Sequence, residues 1–272
     1  MVELGDTEFR EMYHYIRKRY GLNLERKKYL IESKLWIEIA RSKSDSYAEY
    51  WKKLKNDDTG LMERRMMNLL TTNYSFFCRE EEHFDFLCRT ILPSFPAERK
   101  NTLKIWSAGC ADGQECYTLA MKLLDCRKAG ILRVPFEILG TDLSETAVAK
   151  AKKGLYGSAE YARLPQAWQM MYCENFQDGE FQVKDQLRSY ITFQRQNLIG
   201  LPVMPPTYDV IFCRNVLIYF QDRERTMLIG RLTDALLEGG YLMIGHTESL
   251  LAIPNRLKYI QPAVYMKPEA KS

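Results

Sequence analysis

The segment Ile105-Trp-Ser-Ala-Gly109-Cys-Ala-Asp-Gly113-Gln-Glu115 sets two glycines four residues apart, with an acid just beyond them. Glycines so placed let the main chain approach a ligand closely, and a helix start gathers unpaired N–H groups. A second acid, Asp142, follows the apolar run Phe136–Gly140. A carboxylate there can accept hydrogen bonds from both hydroxyls of a ribose. The turn is not G-x-G-x-x-G, and Asp142 lies further on than the roughly 20 residues of a dinucleotide fingerprint. No G-x-x-x-x-G-K-[ST] occurs, which excludes a P-loop nucleotide site. Glu115 suits a ligand amine better than a pyrophosphate. S-adenosylmethionine, an adenosine carrying an amino acid on a sulfonium, meets these constraints. A Gly-rich turn plus an acid also occurs in βαβ units that hold no cofactor, so these residues alone leave both readings open.

The elements that must position these residues follow from the hydrophobic pattern. From about residue 100, strands and helices alternate. Leu103–Ser107, Phe136–Gly140, Tyr208–Cys213 and Tyr241–Gly245 read as strands, and Gln114–Leu124, Asp142–Lys153 and Asp222–Leu237 as helices. Such an order implies a mostly parallel α/β sheet with helices on both faces, whose ligands sit beyond the carboxyl ends of the strands. Leu257–Lys267 suits a final strand pair. Between 172 and 196 the alternation breaks. Tyr172–Phe176, Glu180–Val183 and Tyr190–Phe193, with a turn at Asp178-Gly179, read as a small antiparallel β-subdomain inserted in the larger domain.

Residues 6–70 carry helical periodicity almost throughout. Phe9, Met12, Tyr13 and Ile16 share one helix face. Tyr29, Leu30, Leu35, Trp36 and Ile39 are expected to form an apolar stripe, opposite Arg26, Lys27, Lys28, Lys34 and Arg41. Ser46 and Glu49 resemble a capping box opening a third helix, and Asp57–Gly60 punctuates before a fourth. The expected division is a helical domain over 1–70, a linker contributing to the cofactor site over 71–98, and an α/β domain over 99–272.

The 272 residues are 46% apolar and 27% charged, which excludes disordered and collagen-like chains. Apolar runs are too short to span a bilayer, and the acidic N-terminus is no signal peptide, so a cytoplasmic protein without membrane insertion is expected. Seven cysteines with no C-x-x-C pair argue against a disulfide framework and against a zinc site. The net charge is +4; residues 1–70 hold 15 Lys/Arg against 12 Asp/Glu, too sparse for a nucleic-acid stripe but suited to an acidic protein partner.

Three further segments narrow the reading. They are Asn73-Tyr-Ser75-Phe-Phe-Cys-Arg79-Glu80 with His83-Phe84, then Gln196-Asn197-Leu198, then Cys213-Arg214-Asn215-Val-Leu-Ile-Tyr219-Phe220 followed by Gly239-Gly240 and Gly245-His246-Thr-Glu248. In this order and length the sequence closely resembles the CheR family of chemotaxis-receptor methyltransferases, protein-glutamate O-methyltransferases, across nearly the whole chain. The resemblance implies a Rossmann-like class I methyltransferase domain with a β-subdomain insert, preceded by an all-helical domain. It implies cofactor contacts at Asn73, Ser75, Arg79, Glu115, Asp142, Asn197, Leu198, Arg214 and Asn215, with Arg79 and Tyr219 nearest the transferred methyl. S-adenosylmethionine would be the donor, S-adenosylhomocysteine the product, and no metal would be needed. The partner would be the cytoplasmic helical domain of chemoreceptors, methylated on glutamates by a monomeric enzyme.

Ser75 stands where Thr is commoner, Cys78 where an aromatic is usual, and Gln114-Glu115-Cys116 where Glu-Glu-Pro is usual. The short Asn175–Gly179 loop suggests a member that does not tether a receptor C-terminus. His246 and Glu248 look like a catalytic pair, but a glutamate of pKa about 4.3 is already ionised and needs no base. The alternatives are a degenerate signalling module that binds the cofactor without transfer, and a class I methyltransferase for another protein.

Overall fold

In the computed structural model, residues 3–95 and 101–269 are described. The boundary expected between 98 and 99 therefore lies outside the described residues. Four helices open the chain: α1 (Asp6–Tyr20), α2 (Lys28–Arg41), α3 (Tyr47–Lys55) and α4 (Leu61–Leu70). Helix α1 buries Met12, Tyr13 and Ile16 on the face that their spacing predicts, and Phe9 packs beside them. It stops at Gly21, whose φ of 72° is the left-handed conformation a C-terminal cap requires. Ser46 caps α3 by accepting the Glu49 N–H at 3.1 Å, while the Glu49 carboxylate reaches back to the Asp45 N–H at 2.7 Å.

Helix α2 departs from expectation. It buries Ile31, Leu35, Glu38 and Ile39, whereas Tyr29 and Trp36 face solvent, 81% and 60% exposed. The helix is apolar on two sides, and the branched aliphatic side chains rather than the aromatic rings took the core. Its basic residues are also partly committed: Lys28 pairs with Asp6 at 2.6 Å, and Arg41 pairs with buried Glu38 at 2.6 Å.

The α/β region forms a seven-stranded sheet in the order β6-β2-β1-β7-β8-β10-β9, comprising β1 (Leu103–Ala108), β2 (Phe136–Asp142), β6 (Ile191–Arg195), β7 (Tyr208–Cys213), β8 (Leu236–Ile244), β9 (Lys258–Gln261) and β10 (Val264–Met266). The five strands from β6 to β8 are mutually parallel, and β10 is antiparallel to β8 and β9. Both faces are buried, so β1 alternates Ile105 toward one core and Trp106 toward the other. The second core, around Trp106, Ile211 and Leu242, runs on without a break into the helices of residues 6–70.

A separate antiparallel sheet joins β3 (Leu155–Gly157), β5 (Glu180–Val183) and β4 (Cys173–Gln177). The insert over 172–196 is thus corrected at both ends. Its third strand comes from 155–157, while the run at 190–193 belongs to β6, the parallel edge of the main sheet. Asp178 and Gly179, at φ 51° and 77°, make the two-residue turn between β4 and β5. No helix among the described residues is long and apolar enough to cross a membrane.

Candidate functional site

The order of the sheet reverses between β1 and β7, and a cavity of about 250 Å³ opens there beyond the strands' carboxyl ends. Gly109 ends β1 at φ 91°, and a Cβ on it would meet the Val216 side chain at 2.4 Å, so the turn can pass only as glycine. The Gly109 and Cys110 N–H groups both donate to the Thr141 carbonyl, which locks the β1 and β2 termini together.

Two carboxylates face this cavity. Asp142, closing β2, accepts the Ala111 N–H at 2.9 Å on one oxygen and the Ser144 N–H at 2.8 Å on the other. Each oxygen keeps a lone pair, so the group can still accept two hydroxyls. Burial pushes its carboxyl above the usual aspartate range, against those two N–H groups. The following helix is Glu145–Lys153, and its cap is Ser144, which accepts the Ala147 N–H. Asp142 is therefore not spent on capping.

Glu115, in the first turn of the helix Gln114–Lys128, accepts the Ser107 hydroxyl at 2.7 Å and the Arg214 guanidinium at 2.9 Å. Arg214 is almost wholly buried. It lies over the Phe84 ring, pairs with Glu80 at 3.1 Å and with Glu115, and donates to the Arg79 carbonyl. Two carboxylates on one guanidinium leave a negative charge in surplus, the complement of an ammonium. The guanidinium itself builds the wall rather than reaching for a ligand.

Asn215 follows at φ 58°, a left-handed backbone held from behind. Buried Glu248 accepts the N–H groups of Asn215 at 3.0 Å and Gly245 at 2.6 Å on one oxygen, and of Ile218 at 3.2 Å on the other. Burial raises its carboxyl above the ordinary range despite these bonds. Glu248 is thus the brace of the loop after β7. Sequence reasoning sees it only beside His246 and misses this role; an acid four residues past a strand end is the signal that was there.

Glu80 was missed as well, though it stands in the motif that includes Arg79. Its backbone is left-handed, φ 52°, and its carboxylate collects Arg214, the Asn215 amide at 3.3 Å and the His246 N–H at 3.3 Å. Burial works against its charge, but Arg214, Asn215 and His246 outweigh it and hold the carboxyl below the usual range. Buried His83 packs edge-on to His246 with ring centroids 4.6 Å apart, and neither of its nitrogens has a hydrogen-bond partner. Burial, then Arg214 and His246, push it down to about 3. Donor atoms of Glu80, His83 and His246 come within 4.8 Å of one another, yet the charge of Glu80 is already matched by Arg214.

The remaining sequence-derived residues line the same cavity. Asn73, Ser75 and Arg79 come from the segment after α4; Asn197 and Leu198 follow β6; and Tyr219 ends a 3₁₀ turn, Leu217–Tyr219. Arg79 donates to the Tyr74 carbonyl and lies over Phe76, with no carboxylate in ion-pair range among the described residues; Glu80 is turned to Arg214 instead. The Asn197 side chain is already engaged: it donates to the Arg19 carbonyl at 2.8 Å and accepts the Ile199 N–H. One amide hydrogen and one oxygen lone pair remain to it, beside its main chain, for an adenine edge. Tyr219 is held from the helical unit, since its carbonyl accepts the Asn23 N–H at 2.8 Å, Leu22 bridges to Phe220, and Lys27 Nζ stands 6.0 Å from the ring centroid.

Close backbone approach at Gly109, an acid able to accept two hydroxyls, a surplus negative charge at Glu115 and an apolar wall at Leu198 fit a nucleoside that carries an amine. A family model described as the CheR methyltransferase SAM-binding domain matches residues 73–266, and one described as the CheR methyltransferase all-alpha domain matches residues 7–71. A chemotaxis protein methyltransferase of Borreliella burgdorferi is 33% identical over 98% of this chain and 96% of its own. Proteins of the same description from Vibrio anguillarum and Pseudomonas putida are 29% and 30% identical, covering 96% and 94% of this chain and 95% of each relative.

Proposed function

The chain belongs to the CheR methyltransferase family, and from that premise we propose that it esterifies glutamate side chains on the cytoplasmic helical domain of chemoreceptors. The reading is supported by one observation above the rest: Glu115, Asp142, Arg79 and Tyr219, drawn from four separate segments, line a single cavity at the sheet's switch point.

When bound, S-adenosylmethionine supplies a methyl on a sulfonium, a ready electrophile. Glu115 would hold its ammonium, Asp142 its ribose hydroxyls, and Leu198 with the Asn197 main chain its base. Asn73 and Ser75 would close the methionine end, where the Asn215 loop is fixed by Glu248. The target glutamate arrives ionised, with a pKa near 4.3, so no proton has to be removed. What remains is alignment and partial dehydration of the attacking oxygen, which can be worth several kcal/mol. Arg79, with no ion-paired acid among the described residues, orients that carboxylate, and Tyr219 packs beside the reacting centre. Arg26, Lys27 and Lys34 offer an acidic helix a basic approach, acting on encounter more than on affinity. Residues 1–70 then serve docking, and 71–98 together with 99–272 the chemistry, in the cytoplasm and as a monomer.

The test uses tritiated methyl donor with a receptor cytoplasmic fragment. Label that enters glutamate and is released by mild base as methanol supports the reading. Base-stable label, or none from protein that shows a calorimetric heat with S-adenosylhomocysteine, refutes it.

A further inference from the structure

Among the described residues no acid pairs with Arg79; its seat is a ring. The guanidinium carbon lies 5.7 Å from the Phe76 centroid, and the side chain donates to the Tyr74 carbonyl at 3.2 Å. The Tyr74 and Phe76 rings meet at 5.9 Å. Phe76 is only half-buried, unlike its neighbour Phe77, which is 1% exposed and packs on Tyr156 and Phe181 of the small antiparallel sheet. Core packing therefore fixes Phe77, whereas the Phe76 ring keeps its torsional freedom unless another group takes it up.

That group is Arg163. It follows the short helix Ser158–Tyr161, which opens directly after β3, and its guanidinium carbon stands 4.5 Å from the Phe76 centroid, closer than that of Arg79. Among the described residues no carboxylate is in ion-pair range of Arg163; Glu160, three residues before it, is turned to the Phe77 N–H at 3.5 Å. A guanidinium is drawn to the electron-rich face of a ring, and its flat, weakly hydrated head stacks there well. The stretch 158–163 thus grips the segment 74–79 twice, once at a main-chain N–H and once at a ring.

We propose that Arg163 is a positioning residue for methyl transfer: it pins the Phe76 ring, and the ring seats the Arg79 guanidinium where it meets the target carboxylate. Phe76 and Arg79 line the cavity and Arg163 does not, so Arg163 acts through the ring rather than on donor or substrate. In-line attack tolerates little displacement of the group that aims the nucleophile, so loosening a ring two contacts away reaches the rate. The assignment rests on the receptor-methylation reading above, in which Arg79 orients the glutamate.

Two readouts test this on the whole protein. In the NMR spectrum of arginine-labelled protein, the Phe76 ring current should displace the Arg79 side-chain resonances, assigned by their loss in Arg79→Lys. Arg163 is exposed, so Arg163→Gln spares the core; it should move those resonances toward free-arginine values, and Arg163→Lys, which keeps the cation, should restore most of the displacement. With a receptor cytoplasmic fragment, Arg163→Gln should lower kcat about fivefold, with KM for the fragment and the heat of S-adenosylhomocysteine binding unchanged, and Arg163→Lys should recover most of the rate. Arg79 resonances and kcat that ignore Arg163→Gln would overturn the assignment. Equal losses in the Gln and Lys variants would overturn it as general damage. A rise in KM that salt abolishes would make Arg163 a direct contact of the substrate and also overturn it. Wild-type protein that shows the cofactor heat but transfers no label removes the functional reading, and the Arg79 resonances judge the brace separately.

Discussion

The two walls of the cavity are built on opposite terms. On the sheet side, polar groups are buried and committed: Arg214 between Glu80 and Glu115, and Glu248 on three backbone N–H groups. On the α2 side, Lys27 is exposed and has no ion pair among the described residues. Fixed dipoles in a buried setting cost no reorganisation when a small ligand binds, whereas a solvated wall suits a large partner that arrives and leaves. On the proposed function, the contrast separates a cofactor side, set in advance, from a substrate side left open.

Arg79 stands where the walls meet, and its loss tests the contrast most severely. Arg79→Ala should lower transfer to receptor at least about a thousandfold, roughly 4 kcal/mol of barrier, with cofactor binding changed far less. Near-normal turnover would remove it from the chemistry. Next comes the sheet wall itself. Asp142→Ala should weaken S-adenosylhomocysteine about a hundredfold, near 2.7 kcal/mol, read by calorimetry, with little change in receptor-fragment affinity. Glu248→Gln turns an acceptor toward N–H groups as a donor, and should cost about 2 kcal/mol of stability in urea titration. A neutral result would mean the brace is dispensable.

The α2 wall should answer more weakly and with a different signature. Reversing Arg26, Lys27 and Lys34 to Glu should raise KM for receptor about tenfold at low salt, and the difference should shrink as salt screens it. The last effect, absent at neutral pH and confined to acid, concerns His83. Its folded-state value of about 3 lies below the ordinary 6.5, so the unfolded chain binds the extra proton. Its contribution is complete above pH 6.5 and is lost as pH falls toward 3, at up to about 1.4 kcal/mol per pH unit. His83→Phe should flatten the acid limb of the melting curve; an unchanged limb would show that His83 is accessible to protons in the native state.

Much of this was legible from local sequence. Gly109, Asp142 and the Arg214-Asn215 pair each end a strand whose apolar run is unmistakable, so chain order alone brought them to one rim. Helix α1 was legible because a single face is apolar. Helix α2 was not: Ile31, Leu35 and Ile39 compete with Tyr29 and Trp36, and periodicity does not say which side meets the core. The strand at 191–195 follows a hairpin closely enough to read as its third member, and only its pairing with β2 across the fold assigns it to the main sheet. The roles of Glu80, His83 and Glu248 depend on contacts up to 166 residues apart in sequence, as from Glu80 to His246, which no local pattern encodes.

Tyr219 takes its station from elsewhere in the chain. Its carbonyl hangs on Asn23 and its neighbour Phe220 bridges to Leu22, so a jolt to the segment after α1 is felt by the ring. Removing the helical unit would therefore do two kinds of damage at once, blinding the enzyme to its receptor and unmooring an aromatic wall of the reaction chamber. A truncation that silences the protein is, for that reason, poor proof that the first seventy residues exist only to recognise a partner.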